Sequence, residues 1–341
     1  MCSYMMIRGK AIVARIASAG ASALGLLFLV VLPAAHGQQA GRMYTVGILS
    51  TGSPAAFDDI GKAMRAALGQ LSYVEKRNIL FESRFDEGIP GRLERLAAEL
   101  VRMNVNVLVT NGTPASLAAK HATSSIPIVT VSTGDPVGSG LVQSLGRPGG
   151  NVTGVSAAFG ELAGKWVELL REIVPGLSRI AFLGNADNAV NKVVFRRVQA
   201  VARGLGVSTE YFSATKPDEV TAALARLHEA RVQGVIVPGD AVIRSRRKEI
   251  TEFAAKVRLP AVYFGGDYID AGGLMSYGPV PQEIGRRAAA YVDRILRGAK
   301  PADLPVEEPT VYELAISLKT ARTMGLTIPQ TLLLRADRLI E

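Results

Sequence analysis

From Met43 onwards, short apolar segments alternate with longer segments whose apolar residues recur three or four positions apart. The short segments have the composition of buried strands, and the spacing in the longer ones gives a helix one apolar face. The strands expected first are Tyr44–Ser50, Asn78–Arg84, Val105–Thr110 and Ile126–Val131. Because strands that alternate with amphipathic helices form right-handed βαβ units, the sequence predicts an α/β fold with a parallel sheet.

A glycine-rich segment, Thr133–Ser156, interrupts this alternation, which then starts again. Pro136 and Pro148 fix φ within it, and its glycines reach backbone conformations that other residues avoid. The strands expected beyond it are Arg179–Gly184, Thr209–Ser213, Gly234–Pro238 and Ala261–Gly265. A chain of 341 residues is long enough for two domains with separate cores. We therefore expect Thr133–Ser156 to cross between two lobes and to act as a hinge.

A second crossing is expected at Gly272–Tyr277, before a helix at Gln282–Arg297 that returns to the first lobe. The expected fold has two Rossmann-like lobes, each with a parallel sheet, joined by a multi-segment hinge. The expected division is residues 43–153 plus 275–305 in lobe 1, and residues 154–274 plus 306–341 in lobe 2.

The first forty residues have the layout of a secretory signal peptide. Basic residues precede an apolar run, small residues follow it, and we expect cleavage near Gly37 with the signal at residues 1–37. A retained membrane anchor is the alternative, because Ile16–Leu32 is about long enough to span a bilayer. The only cysteine, Cys2, precedes the apolar run, so a lipoprotein-type cysteine is missing and the mature chain has no thiol or disulfide chemistry.

Composition and motifs argue against nucleic-acid binding and against catalysis. Without the leader's Arg8, Lys10 and Arg15, the net charge of +9 falls to +6, which is mild and dispersed, and aromatic residues make up only 6% of the chain. The mature histidines, His121 and His228, lie far apart in predicted helices. The sequence contains no phosphate-binding loop, dinucleotide fingerprint, nucleophile elbow or metal-ligand spacing. We therefore expect no nucleic-acid partner, no cofactor, no metal and no enzyme activity.

Ligands bind open parallel sheets beyond the carboxyl ends of the strands, where loops lead into helices. With two such sheets, both sets of strand ends face a shared cleft. The expected ligand-binding residues of lobe 1 are Ser50, Thr51, Asn111, Gly112, Thr113 and Asp135. Those of lobe 2 are Asn185, Asp240, Gly266, Asp267 and Tyr268.

Two of these positions indicate how a zwitterion would be held. Thr113 suits a helix N-cap and Pro114 the first helical position, so this helix start would direct free N–H groups and a positive dipole end towards a carboxylate. Asp240 is the expected partner of an ammonium group. Ordinary structural roles remain open for both: the helix start is also a simple capped end, and Asp240 also suits the N-cap of a helix beginning near Ile243.

Three stretches carry a resemblance to a known family: YTVGILSTGSP from Tyr44, DPVGSGLVQSLGRPGGNVTGVS from Asp135, and a C-terminal phrase that begins DAGGLMSYGPVPQEIGRRAAAYVD at Asp270. Together with the signal peptide, they resemble the periplasmic substrate-binding proteins of ABC transporters, in the subgroup that contains tryptophan-binding components. The loop LGNADNAVN departs from the Asn-Pro-containing loop often found there.

The resemblance implies the type I periplasmic binding protein architecture, whose two lobes close on a small organic solute such as an amino acid or related carboxylate. It implies an ABC permease and its ATPase subunit as partners, contact with the membrane only through the permease, a monomeric state and a periplasmic location. Rings at Phe57, Tyr263, Phe264 and Tyr268 lie near predicted strand ends, where they could stack on a ligand. A sensor that presents its ligand state to a membrane receptor is the alternative function.

Overall fold

The computed structural model describes residues 42–341, and the expected signal peptide at residues 1–37 lies outside them. The strands of the first sheet are β1 Tyr44–Ser50, β2 Ile79–Phe85, β3 Val107–Asn111, β4 Ile128–Thr133 and β5 Val152–Ser156. Their order is β2-β1-β3-β4-β5, and every neighbouring pair is parallel. The parallel sheet predicted for the first lobe is confirmed.

The second sheet is mixed rather than fully parallel. Its strands are β6 Arg179–Gly184, β7 Ser208–Ser213, β8 Gly234–Val237, β9 Ala261–Tyr263, β10 Met275–Pro279, β11 Tyr312–Ser317 and β12 Arg338–Ile340. Their order is β12-β11-β10-β9-β8-β6-β7, and the β10–β11 pair is antiparallel. The exception arises because β11 enters this sheet directly from the first lobe, without the crossover helix that a parallel neighbour requires.

Helices cover both faces of each sheet. The first six in chain order are α1 Asp58–Gln70, α2 Arg92–Arg102, α3 Thr113–Ala122, α4 Phe159–Ile173, α5 Ala189–Gly204 and α6 Val220–Glu229. They are followed by α7 Ala241–Ser245, α8 Arg247–Lys256, α9 Asp267–Asp270, α10 Pro281–Leu296, α11 Leu318–Met324 and α12 Gln330–Leu333. On the first sheet, Met64 and Ile284 bury the apolar faces of α1 and α10 against one side, while Leu96 and Ala119 bury those of α2 and α3 against the other.

The segment expected to be a crossing, Thr133–Ser156, does not leave the first lobe. After β4 the chain makes a loop whose Leu141 and Val142 are buried in the lobe 1 core, and it returns as β5, with Ser156 paired to Thr133. The expectation was wrong because the last five residues of the segment, Val152–Ser156, form a complete edge strand of the first sheet. The crossing follows at Ala157–Ala158, immediately before α4.

The other boundaries also differ from the expected ones. Residues 275–279, expected in lobe 1, form β10 and hydrogen-bond within the second sheet. The second crossing is therefore at Val280, before α10 packs on α1 in lobe 1. Residue Glu307, expected in lobe 2, exchanges backbone hydrogen bonds with Gly154 and Ser156 of β5, so the third crossing lies between it and β11. Within residues 42–341, none of the helices has the length and apolar character needed to cross a membrane.

Gly285 allows α1 and α10 to approach closely. A Cβ at this position would lie 2.5 Å from the carbonyl oxygen of Ile60 and 2.7 Å from the Cβ of Ala63. Neither neighbour can rotate away, since one is backbone and the other is a methyl group. We expect Gly285→Ala to lower the free energy of unfolding by about 1–3 kcal/mol, as overpacking does.

The matched control is Gly164→Ala in α4, where a Cβ would have no neighbour within 4 Å. There we expect the free energy of unfolding to rise by up to about 1 kcal/mol, because alanine restricts the unfolded chain and favours helix. Urea unfolding of both variants measures the contrast. Equal effects at the two positions would show that the helix–helix contact is not tight.

Candidate functional site

The carboxyl ends of strands from both sheets line two adjacent cavities, which we name cavity A and cavity B. Cavity A has a volume of about 270 Å³ and cavity B of about 170 Å³. The residues that line both are Thr51, Gly112 and Ser132 from lobe 1 and Gly239, Asp240 and Ala241 from lobe 2. We call these six residues the junction. Because they come from both lobes, a ligand held there contacts both at once.

The two lobes touch across the cleft. The Nη1 of Arg244, in α7, donates to the backbone oxygen of Ala56 in lobe 1 over 3.3 Å. Gly52 of lobe 1 lies close to Ala241 of lobe 2. A Cβ added at Gly52 would be 3.4 Å from the Cβ of Ala241. The two lobes are therefore in direct contact at the edge of the cleft, and three crossings of the chain connect them.

Asp240 is the one carboxylate among the six junction residues, and only 3% of its surface is exposed. It follows β8 and is the N-cap of α7, since its Oδ1 accepts from the N–H groups of Val242 at 2.9 Å and Ile243 at 3.3 Å. Its Oδ2 accepts from the side-chain amides of Asn188 at 2.9 Å and Asn191 at 3.2 Å. The helix-cap interpretation of Asp240 is thus confirmed, and the same carboxylate lines both cavities.

All of these partners of Asp240 are neutral. Burial raises the pKa of Asp240 above its ordinary value of 3.8, and hydrogen bonds from Asn188 and from the α7 backbone oppose the shift. Among residues 42–341, no lysine, arginine or histidine forms a salt bridge with it. By contrast, Asp267 in cavity B pairs with Arg244 at 2.7 Å and lies 3.6 Å from Arg247. A buried charge without a counter-ion is costly, so Asp240 is the carboxylate that a cationic ligand would stabilise most.

The opposite wall of the junction is the N-terminus of α3. Gly112, not Thr113, is the N-cap, with φ +89° and ψ 153°, a conformation that only glycine adopts readily. Thr113 is the first helical residue, and its Oγ1 accepts from the N–H of Gly134 at 3.1 Å. No side chain caps the first turn, so the positive end of this ten-residue helix is directed at the junction.

Nine of the eleven sequence-predicted residues line the two cavities. Those in cavity A, cavity B or both are Thr51, Asn111, Gly112, Thr113, Asn185, Asp240, Gly266, Asp267 and Tyr268. Ser50 is fully buried behind the cleft, where its Oγ accepts from the side-chain amide of Asn111 at 3.0 Å. Asp135 lies away from both cavities because its Oδ1 accepts from the N–H of Gly138 at 2.8 Å and closes a turn of the lobe 1 loop.

Only part of the expected aromatic surface is available to a ligand. Phe57 and Tyr263 are buried in the cores, and Tyr263 stacks on Tyr268 with ring centroids 4.6 Å apart. Phe264 lines cavity B, and its ring centroid is 5.0 Å from that of Phe159, which lines cavity A. The sequence did not indicate Phe159 as a residue of the site.

Trp166, the only tryptophan of the sequence, packs against both phenylalanines, with its ring centroid 6.4 Å from each of theirs. It is fully buried, and its Nε1 donates to the backbone oxygen of Tyr277. Its fluorescence is therefore a natural reporter of changes in the cleft wall.

Sequence reasoning also missed Asp86, Ser132, Asn188 and Asn191. Asp86 directly follows β2, so the strand-end rule applied to that strand would have found it. Ser132 has φ +56°, a strained value for a residue other than glycine, and nothing in its local sequence indicates this. The two asparagines lie at and just inside the start of α5, where they look like ordinary capping residues.

The described residues contain no group of three or more histidine, cysteine or acidic side chains placed to hold a metal ion. The cleft instead offers hydroxyls, amides, a helix N-terminus and carboxylates, the groups that bind a small polar solute.

Comparisons with known proteins agree with this geometry. A family model described as ABC transporter substrate binding protein matches residues 45–340. A tyrosine-binding protein of Clostridioides difficile (strain R20291) is 24% identical over 285 residues, which are 84% of this chain and 82% of the relative.

Two solved structures resemble the whole described fold. A conserved domain protein from Vibrio cholerae O1 biovar El Tor superimposes with a TM-score of 0.83 at 28% identity, covering 87% of this chain and 100% of that one. An ABC domain from Streptococcus pneumonia, solved in complex with L-Trp, gives a TM-score of 0.81 at 26% identity with the same coverage.

Proposed function

This chain belongs to the ABC transporter substrate binding protein family, and from that premise we propose that it captures an amino acid, or a closely related amine carboxylate, in the closed cleft. The solute would then be delivered to a membrane permease that a separate ATPase subunit drives. Two similar proteins, a tyrosine-binding protein and a domain solved in complex with L-Trp, support amino acids as the ligand class.

The observation that carries the proposal is the uncompensated carboxylate of Asp240 opposite the uncapped N-terminus of α3. An α-ammonium group at the junction would supply the missing positive charge, and an α-carboxylate would meet the free N–H groups and the helix dipole. Because one pole belongs to each lobe, a zwitterion would hold the lobes together. This charge arrangement explains closure without any catalytic group.

The family is extracytoplasmic. With residues 1–37 as a signal peptide, we propose a periplasmic location for the mature chain. Delivery to a permease, rather than presentation to a receptor, predicts that a deletion strain loses uptake of the solute while signalling stays normal.

Ligand capture is tested by melting the protein after unfolding and refolding, which removes any ligand carried through purification. We expect one or a few L-amino acids to stabilise the protein by about 2.7 kcal/mol at a hundred times the dissociation constant. Unchanged melting across all proteinogenic amino acids and related amines, with nothing bound in native mass spectrometry, would contradict the proposal.

Acidification is expected to weaken binding. The pKa values of Asp240 and Asp86 are both raised above 3.8 by burial, so each carboxyl takes up a proton in the folded state before it would in the unfolded chain. Their contributions to stability are therefore present below pH 3.8 and lost as the pH rises through the raised pKa values. The affinity for an ammonium group instead rises with pH, because only the ionised carboxylate attracts that group.

The measurement is calorimetric titration at several pH values between 7 and 4. We expect the affinity to fall towards the acid end of this range while the protein stays folded. An affinity that is constant across it would mean that no buried carboxylate pairs with the ligand.

A further inference from the structure

Cavity A is acidic in a way that the binding of a simple zwitterion does not require. Its lining includes the carboxylates of Asp86, Glu94, Asp187 and Asp240, and none of its lining residues is lysine, arginine or histidine. Cavity B, by contrast, contains Arg244 and Arg338 among its acidic residues. If Asp240 pairs with the α-ammonium group of a ligand, the remaining negative charge of cavity A has no partner in the ligand's head group.

Asp86 is the second buried carboxylate of cavity A, with 8% of its surface exposed. Its Oδ1 accepts from the N–H groups of Gly52 at 2.6 Å and Gly88 at 3.0 Å, which fixes the side chain at the end of β2. Its Oδ2 has no hydrogen-bond partner among residues 42–341. The charge of Arg92 lowers the pKa of Asp86 and so opposes the effect of burial, but Arg92 pairs with Glu87 at 2.8 Å, forms no salt bridge with Asp86 and does not line the cavity. One oxygen of a fixed, buried carboxylate is thus free at the cavity wall.

Asn191 contributes to this wall through its nitrogen alone, which donates to Asp240. Its Oδ1 is buried without a partner on the side of Gly184, where a Cβ would lie 2.8 Å from it, so this oxygen is not offered to a ligand in cavity A.

Between these polar groups the walls are aliphatic. Ile89, Leu93, Val190, Val194 and Val242 line cavity A together with the ring of Phe159. Such walls suit a chain of methylene groups that leads from the junction towards a charged end.

From these contacts we infer that the ligand is a cationic amino acid whose charged side chain enters cavity A and pairs with the free Oδ2 of Asp86. The inference rests on the proposed capture of an amino acid and names its chemical class. Lysine, ornithine and arginine have the required aliphatic stem and terminal cation, whereas tyrosine and tryptophan would offer only a neutral donor.

The test compares charged ligands with uncharged ligands of similar shape on the refolded protein. We expect L-lysine to bind at least tenfold more tightly than L-norleucine, and L-arginine at least tenfold more tightly than L-citrulline, by calorimetry. In Asp86→Asn, which keeps an oxygen for Gly52 and Gly88, we expect both ratios to fall towards one. Melting of the ligand-free variant verifies that it folds.

The control is Asp303→Asn, an exposed carboxylate of lobe 1 that lines neither cavity, where the same loss of charge is expected to leave both ratios unchanged. Norleucine or an aromatic amino acid binding as tightly as lysine, or unchanged ratios in Asp86→Asn, would overturn the inference while leaving amino acid capture intact. Absence of binding by every amino acid would instead remove the proposed function and this inference with it.

Discussion

Replacing Asp240 with alanine is expected to abolish ligand binding and also to destabilise the ligand-free protein. The variant loses the only carboxylate that is buried at the junction without a cationic partner, so affinity should fall at least a hundredfold. It also leaves four donors without their acceptor: two N–H groups of α7 and the amides of Asn188 and Asn191. Unsatisfied buried donors and a lost N-cap together cost about 2–4 kcal/mol of unfolding free energy.

Asp240→Asn separates the two roles. Asparagine is a good N-cap, so it retains the α7 contacts, but it carries no charge for an ammonium group. Its amide nitrogen cannot accept from the side chains of Asn188 and Asn191, so we expect urea unfolding to return only part of the lost stability in Asp240→Asn, while calorimetry still finds at least a tenfold loss of affinity. Full affinity in Asp240→Asn would mean that the carboxylate serves only the fold.

Replacing Gly112 with alanine is expected to damage the other pole of the site. The backbone there has φ +89°, and a Cβ would lie 2.7 Å from the Oγ1 of Thr51 at the junction. Relief of this clash must move either Thr51 or the start of α3. We expect a loss of about 1–3 kcal/mol in unfolding free energy from backbone strain, and at least a tenfold loss of affinity because the N–H groups no longer converge.

Gly140→Ala is the matched control for Gly112→Ala. Gly140 also has a positive φ, +73°, but a Cβ there would have no neighbour within 4 Å, and it lies outside both cavities. We expect a loss of stability from strain and an unchanged dissociation constant. If both variants keep wild-type affinity, the N-terminus of α3 does not hold the ligand.

The two-lobed α/β fold was predictable because periodicity records which face of each helix is buried, and the family resemblance implied its type I periplasmic binding protein architecture. Strands β1 and β6 were predicted with the bounds they have, Tyr44–Ser50 and Arg179–Gly184. The crossings were not predictable in the same way. Thr133–Ser156 is rich in turn residues whether it joins lobes or loops back, and only pairing of β5 with β4 distinguishes the two.

Some residues of the candidate site were likewise predictable from the sequence, and others were not. The strand-end rule found Thr51, Gly112 and Asp240 because the carboxyl ends of parallel strands meet at one edge of the sheet. It also selected Asp135, which follows β4 but is turned aside by its own hydrogen bond to Gly138. The strained backbone of Ser132 and the orphan oxygen of Asn191 depend on tertiary contacts, so no local pattern indicates them.

The central claim is that closure depends on both charged groups of an amino acid. The direct measurement is a titration of the refolded protein, followed by Trp166 fluorescence and calorimetry, with each L-amino acid that stabilises it, the matching acid without the α-ammonium group, and the matching primary amide. We predict that the amino acid binds and that each analogue binds at least a hundredfold more weakly. Equal binding of the amino acid and its desamino analogue would contradict the account.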